Sequence, residues 1–356
     1  MNTPREKARR VTLLVSIAGH DVADAVAPYL LDFTFTDNTH GKADEVRLTL
    51  HNRDGRWSGA WKPRKGMPVQ ATLICSDWEA FGQTLSLPCG RFTIDEIEFS
   101  GPPDKVSIKA VSSALTSQLR DTEKTRAWEN TSLQAVAAQI ATENGLSLLY
   151  TGDAHRFQRI DQRRESDLAF ISRLAGERAM NCKVHDGKLV LFDAETAESQ
   201  RASMTLLKQG GMYSPTSYSF TDASSGTGFT SAEVAYTNPA TGTTHVATAR
   251  AADQSGADSK TLMLDQRVES AGEAMRLSRA QLHNANAQSM TARVECLGCP
   301  RLVAGRTVRL EGFGDFSGLY FISSATHRTG GSQGYSTALE LTRGAATEDG
   351  MAKDSV

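Results

Sequence analysis

The chain has 356 residues, 39% hydrophobic, 22% charged and 7% aromatic, with 39 Lys and Arg against 41 Asp and Glu for a net charge of −2. At ~100–200 residues per domain this length gives two or three domains, and the ordinary composition excludes a wholly disordered chain. No apolar run approaches the ~18 residues of a membrane helix, and the lack of a basic excess weighs against a nucleic-acid module.

The first ten residues, MNTPREKARR, read as a solvated basic arm. VTLLVSIAG, which follows, is too short and too polar for a secretory signal and reads as the first strand. From 11 to 117 the texture is β, with alternation in VTLLVSIAG, FTFTD, EVRLTLHN, VQATLIC, FTIDEIEFS and KVSIKAVSS. Apolar side chains at every second position put one face on a core and the other toward water. Asn52-Arg53-Asp54-Gly55 and Gly101-Pro102-Pro103-Asp104 are turn signals between these runs. Six short strands with polar connections predict a barrel or sandwich, which hides its sheet edges by closing or covering the sheet, and 11–117 is taken as a first β-barrel.

Residues 118–205 read as a small α+β unit. Leu133, Val136, Ala137, Ile140 and Ala141 recur at helical spacing, with Thr131 or Ser132 to cap the start and Gly145 to end the helix. A second helix follows in ESDLAFISRLAGERA, with Ser166 as its N-cap. CKVHDGKLVLFD then reads as a hairpin, because Asp186-Gly187 supplies the positive φ angles of a two-residue turn. From 206 to 343 the pattern predicts a second β-barrel carrying one helix. Its strands are SYSFTDA, SAEVAYTN, THVATARA, SMTARVECLG, RTVRLEG, GLYFISSATHRT and YSTALELTRG, with a turn at Asn238-Pro239-Ala240-Thr241-Gly242. The helix is SAGEAMRLSRAQLHNANAQ, with Ala274, Leu277, Ala280 and Leu282 toward a core. Residues 344–356 are small and polar and read as a frayed tail. The expected fold is mainly β with an α+β insert: two tandem β-barrels and a small middle domain.

The search for chemistry assigns no catalytic, cofactor-binding or metal residue. A GxxxxGK phosphate loop, an HExxH pair and a GxSxG elbow are absent. Gly226-Thr-Gly228 lacks the third glycine of a dinucleotide fingerprint. Cys75, Cys89, Cys182, Cys296 and Cys299 are odd in number, and Cys296-Leu-Gly-Cys299 has no second ligand pair for zinc, so it reads as strand-end and turn residues. The eight histidines, at 20, 40, 51, 155, 185, 245, 283 and 327, never fall at metal-ligand spacing. Asp95 and Glu96 point to opposite strand faces while Glu96 and Glu98 share one, the reading being a polar strand face rather than an acid–base pair. Glu165-Ser166-Asp167 reads as an acidic first helical turn. Trp57 and Trp61 read as a cover over one barrel end. Trp78 and Trp128 complete no sugar-stacking face.

Three stretches carry a family resemblance. The first is Asn52-Arg-Asp-Gly-Arg-Trp57 with Trp61-Lys-Pro63 and Gly66-Met-Pro-Val69. The second is Arg164-Glu-Ser-Asp-Leu-Ala-Phe-Ile-Ser-Arg-Leu-Ala175 with the hairpin Cys182 to Asp193. The third is Leu302 to Leu310, Gly318-Leu-Tyr-Phe-Ile322, Ala325-Thr-His327 and Gly334 to Arg343. In this order they resemble the late control D family, the baseplate hubs of contractile-tailed bacteriophages, and the hub half of VgrG spike proteins of type VI secretion. The resemblance implies a non-enzymatic homotrimer that joins a sixfold tail tube to a threefold spike, located in the virion tail baseplate and assembled in the host bacterial cytoplasm. It implies as partners the trimeric spike, the tail tube or its initiator, the tape-measure protein and baseplate wedge proteins, with DNA passing through a lumen without specific binding and no cofactor. The chain stops at Val356 without spike repeats or a lysozyme-like segment, so the spike is expected as a separate chain. The competing readings are a peptidoglycan hydrolase using Glu96 or Glu98 and a peptidoglycan-binding module around Trp128 to Leu148.

Overall fold

The computed structural model describes residues 8–39, 42–112, 117–198, 200–223, 228–237, 244–251, 260–264, 268, 271–287, 289–331 and 334–343. Most of the basic arm, the 344–356 tail and the Asn238–Gly242 turn lie outside them, as do Gly226 and Thr227.

The first β-rich half contains β1 (Arg10–Ile17), β2 (His20–Asp21), a short helix α1 (Ala23–Val26), β3 (Leu30–Asn38), β4 (Glu45–His51), β5 (Pro68–Ser76), β6 (Thr84–Ser100) and β7 (Lys105–Ser112). Their order across the sheet is β3-β4-β7-β6-β5-β1-β2, every pair antiparallel. The predicted alternation holds: Phe33, Phe35, Val46, Leu48, Leu50, Leu73 and Ile108 are buried while their neighbours face outward. β1 and β3 lie far apart along the path, yet Val15 and Phe33 share one core, so the sheet curls back on itself. β6 makes the corner, pairing with β5 through Thr84–Thr93 and with β7 through Phe92–Ser100. Its register slips at Asp95, which has no partner opposite. The strict alternation expected for Asp95 and Glu96 is therefore interrupted there.

The middle unit contains α2 (Ser117–Arg120), β8 (Glu123–Ser132), α3 (Leu133–Glu143), β9 (Ser147–Thr151), β10 (Arg156–Ser166), α4 (Asp167–Glu177), β11 (Met180–His185), β12 (Lys188–Asp193) and α5 (Ala194–Glu198). The capping residues act as expected. Ser132 accepts from Ala135 N at 3.2 Å and Ser166 from Ala169 N at 3.3 Å, each satisfying one orphan donor of its helix. The Asp186-Gly187 turn has φ of 45° and 75° and joins β11 to β12 as a two-residue hairpin. Val136, Ile140, Phe170, Leu174, Cys182 and Leu191 make a core of their own. Each fully buried side chain of this kind contributes roughly 1.5–3 kcal/mol.

The last part holds β13 (Met204–Leu207), β14 (Ser217–Asp222), β15 (Ser231–Thr237), β16 (Thr244–Arg250), β17 (Thr261–Leu264), α6 (Ala271–Ala287), β18 (Met290–Leu297), β19 (Thr307–Glu311), β20 (Gly318–Thr329) and β21 (Tyr335–Arg343). β13-β19-β20-β21-β18-β14 form a second curled sheet around Val294, Leu310, Tyr320, Ile322 and Leu341. Its end strands approach without pairing: Lys208 lies 5.6 Å over the Tyr218 ring, which meets Phe313 at 5.1 Å.

Two expectations are corrected. The two closed barrels are not found among the described residues. Both halves instead belong to one thirteen-stranded sheet, joined where β20 pairs with β3 from Ser324–Asn38 to Thr329–Phe33. In addition, β15 and β16, read as strands of the second barrel, leave it. They form a separate sheet with β17, and α6 covers it through Ala274, Leu277 and Leu282. Alternation tells which face of a strand is buried, not which strand lies beside it.

Candidate assembly surface

The outward face of the joined sheet is one polar wall. Following the ladders, a row of side chains runs Ser217, Glu295, Ala338, Thr326, Thr36, Glu45, Val111 and Thr93. Eight strands at ~4.8 Å make this row roughly 34 Å long. A parallel row runs Ser219, Arg293, Glu340 and Ser324, and another Ser336, Arg328, Thr34, Arg47, Lys109 and Glu96. The seam between β3 and β20 lies in the middle of these rows and does not interrupt them.

Opposite charges are interspersed on the wall. Lys109 pairs with Glu45 at 3.1 Å and Arg47 with the same carboxylate at 3.6 Å; Arg293 pairs with Glu340 at 3.5 Å and Arg328 with Asp32 at 3.7 Å. Such exposed pairs add little stability. Their consequence is electrostatic: a face that mixes cations and carboxylates, with Arg47 and Lys109 sharing Glu45, offers no strong field of one sign to a passing charged polymer.

The seam beneath the wall is held by a buried imidazole. His327 is fully buried, stacks on Phe35 at 6.0 Å, donates from Nε2 to Leu302 O at 3.0 Å, and accepts at Nδ1 from Tyr335 Oη at 2.8 Å. Burial drives its pKa down to about 4, so the ring is neutral and structural.

Each end of the wall is different. At the β3 C-terminus the middle unit docks through Lys183, which binds Asp37 and reaches Asp44 at 3.4 Å, and through His185, whose Nδ1 is 2.8 Å from Asp44. Burial pushes the Asp37 carboxyl up more strongly than the Lys183 ammonium pulls it back. A cleft of about 680 Å³ opens there, lined by Lys42, Asn181, Glu198, His283, Arg293 and Glu340. His283 Nε2 lies 3.3 Å from Glu198 Oε2 and ties α6 to α5. At the opposite end, β4 runs into the Asn52–Gly66 loop. Trp57 is buried there, and half-exposed Trp61 packs edge-on against it at 5.6 Å, covering the end of the first half as predicted.

The residues tested for chemistry do not converge. Glu96 and Glu98 are exposed on the wall, Glu96 opposite Lys109. Trp78 is buried and donates to Gly298 O at 2.7 Å, while Trp128 stacks on Phe170 under Arg126, so the four tryptophans share no face. All five cysteines are free and buried, and burial pushes the Cys75, Cys182 and Cys296 thiols to about 12. Asp167 is more than a helix-dipole residue. It is fully buried between Lys124 and Arg126 and bonded by Gln162 and Asn144. Burial raises its pKa, but these partners outweigh it and hold the carboxyl below its ordinary range. Sequence reasoning missed this knot and the Lys183–Asp37–Asp44 contact. The alternating Lys124 and Arg126 on β8 were the one local sign of the first.

Residues 104–333 match the family model described as phage tail baseplate hub (GPD). The chain belongs to that family. It is 31% identical over 186 residues to a probable baseplate hub protein of Escherichia phage P2, an alignment covering 51% of this chain and 45% of that one. The chain spans about half the length of the curated relatives it matches. Among solved structures, the 43 kDa tail protein of prophage MuSo2 from Shewanella oneidensis superposes with a TM-score of 0.70 at 14% identity, covering 94% of this chain and 99% of that one. An Escherichia coli component of the type VI secretion system, described as similar to the T4 tail proteins gp27 and gp5, superposes with a TM-score of 0.56 at 11% identity over 92% of this chain and 76% of that one. The chain thus belongs to the hub family and shares its fold with a type VI secretion component, in line with the resemblance stated above.

Proposed function

We propose that this chain is the structural hub of a tail baseplate, three copies closing a ring that joins the sixfold tail tube to a threefold spike. The observation that carries this reading is the uninterrupted polar wall across the β3–β20 seam. Two curled sheets per chain supply two wall segments, and three chains supply six, which matches a sixfold tube while keeping threefold symmetry for the spike. The wall's mixture of charges suits a channel through which a tape-measure protein or DNA slides without being held. The units 11–117, 118–205 and 206–343 are proposed as the domains, the middle one with its own core and the last lending Tyr335 to the core of the first. The hub performs no catalysis in this reading, and its place is the virion baseplate.

Light scattering on the purified chain tests the assembly. The expected result is a particle of three times the chain mass that binds a trimeric spike. A monomer at high concentration, unchanged when the spike is added, removes the reading. Release of soluble fragments from purified cell walls, abolished by Glu96→Gln or Glu98→Gln, would replace it with a hydrolase.

A further inference from the structure

The loop from Asn52 to Gly66 departs from the charge balance of the wall it terminates. Arg53, Arg56, Lys62, Arg64 and Lys65 are all exposed, against one carboxylate, Asp54. That carboxylate is already engaged. Tyr29 Oη donates to it at 2.6 Å and Arg56 lies 3.2 Å away, and the tyrosine hydrogen bond holds its pKa below the usual range. Arg56 also sits 5.0 Å over the Trp61 ring. Arg53, Lys62, Arg64 and Lys65 remain without a carboxylate at ion-pair distance among the described residues, whereas on the wall Arg293 pairs with Glu340, Arg328 with Asp32, and Arg47 and Lys109 share Glu45.

The loop is rigid where it meets the sheet. Asn52 donates its backbone N–H to Asp104 O at 2.7 Å, accepts from Trp57 N at 2.9 Å and donates from Nδ2 to Ser58 Oγ at 3.0 Å. Gly66 N closes onto Ile94 O at 2.8 Å, and Trp57 and Pro63 are buried. The cations therefore ride on a base whose ordering is complete before any partner arrives, which lowers the entropic cost of binding.

We propose that this loop is a contact site for the phosphodiester backbone of nucleic acid, a basic collar at one mouth of the channel. The proposal rests on the hub reading for the identity of the polymer that passes. The unpaired cations are spread along the loop rather than gathered round a pocket, which suits a backbone read without regard to sequence. They stand at the end of a wall whose charges are mixed in sign, so the attraction is concentrated at the mouth and sliding past the wall stays free. Binding of this kind is weak and falls steeply with salt.

The test uses the intact chain and a fluorescent duplex of about 30 base pairs, read by anisotropy across a salt series starting at about 25 mM. The triple variant Lys62→Gln, Arg64→Gln, Lys65→Gln is expected to lose at least about tenfold in affinity at low salt and to flatten the salt dependence by about 0.9 per lost contact. Arg159→Gln with Arg163→Gln, which removes exposed cations from the β10 ribbon, is expected to leave binding unchanged. No binding by the wild-type chain at the lowest salt, or equal binding by the triple variant, overturns the proposal. Poly-L-glutamate that binds as tightly as the duplex with the same loss in the triple variant also overturns it, in favour of an acidic protein partner. Light scattering on the same samples keeps the two readings apart: loss of the trimer counts against the hub, an intact trimer with unaltered triple-variant binding counts against the collar alone.

Discussion

The two curled sheets enclose similar cores but seal them differently. In the first half Val26 of α1 and Trp57 of the Asn52–Gly66 loop are both buried, so connecting segments plug the openings. In the second half Tyr218 and Leu207 remain 46% and 41% exposed at the gap between β14 and β13, where aromatic contacts stand in for a ladder. The comparison shows that a period-two pattern suffices to curl a sheet, while closure depends on which loops and rings reach the gap. The halves then meet at the β3–β20 seam, with Phe35 against His327, and at Trp78, which packs on Tyr335.

If the seam couples the halves, Phe35→Ala is the most damaging single change. Phe35 is 2% exposed and touches Phe92 and His327, so its loss is expected to cost ~3–5 kcal/mol and to lower one shared urea transition. Two separate transitions, with the second half unmoved, would break the coupling.

Acid attacks the same place. His327 has a folded pKa of about 4 against 6.5 for the free side chain. Because the folded value is depressed for a base, the unfolded chain takes up the proton first. The stability associated with the neutral ring is therefore complete above about pH 6.5 and lost as pH falls toward 4, by roughly 3 kcal/mol. Urea midpoints at pH 7, 5.5 and 4 read this out, and His327→Gln should remove most of the slope.

Gly298→Ala probes the contact between the halves from the other side. A Cβ there overlaps the buried Tyr335 ring, which also packs on Trp78 of the first half. The expected cost is ~1–3 kcal/mol in the midpoint of unfolding. Tyr218→Ala, at the half-exposed gap, is expected to cost only about 1 kcal/mol or less, and a loss equal to that of Phe35→Ala would show the second half to be sealed after all. Glu96→Gln and Glu98→Gln sit on the open wall and should shift stability by no more than ~0.5 kcal/mol.

Much of this molecule was legible before any coordinates. The caps Ser132 and Ser166, the Asp186-Gly187 turn, the buried face of α6 and the inward residues of nearly every strand are local features, each set by backbone geometry within a few residues of itself. Only the tertiary structure decided that β20 crosses to β3, that β15 and β16 leave the large sheet for α6, and that Asp167 and Asp37 are buried against distant cations. Those choices join residues far apart in the chain, where identical alternating patterns fit several neighbours and the winning pair is the one whose cores and loops pack together.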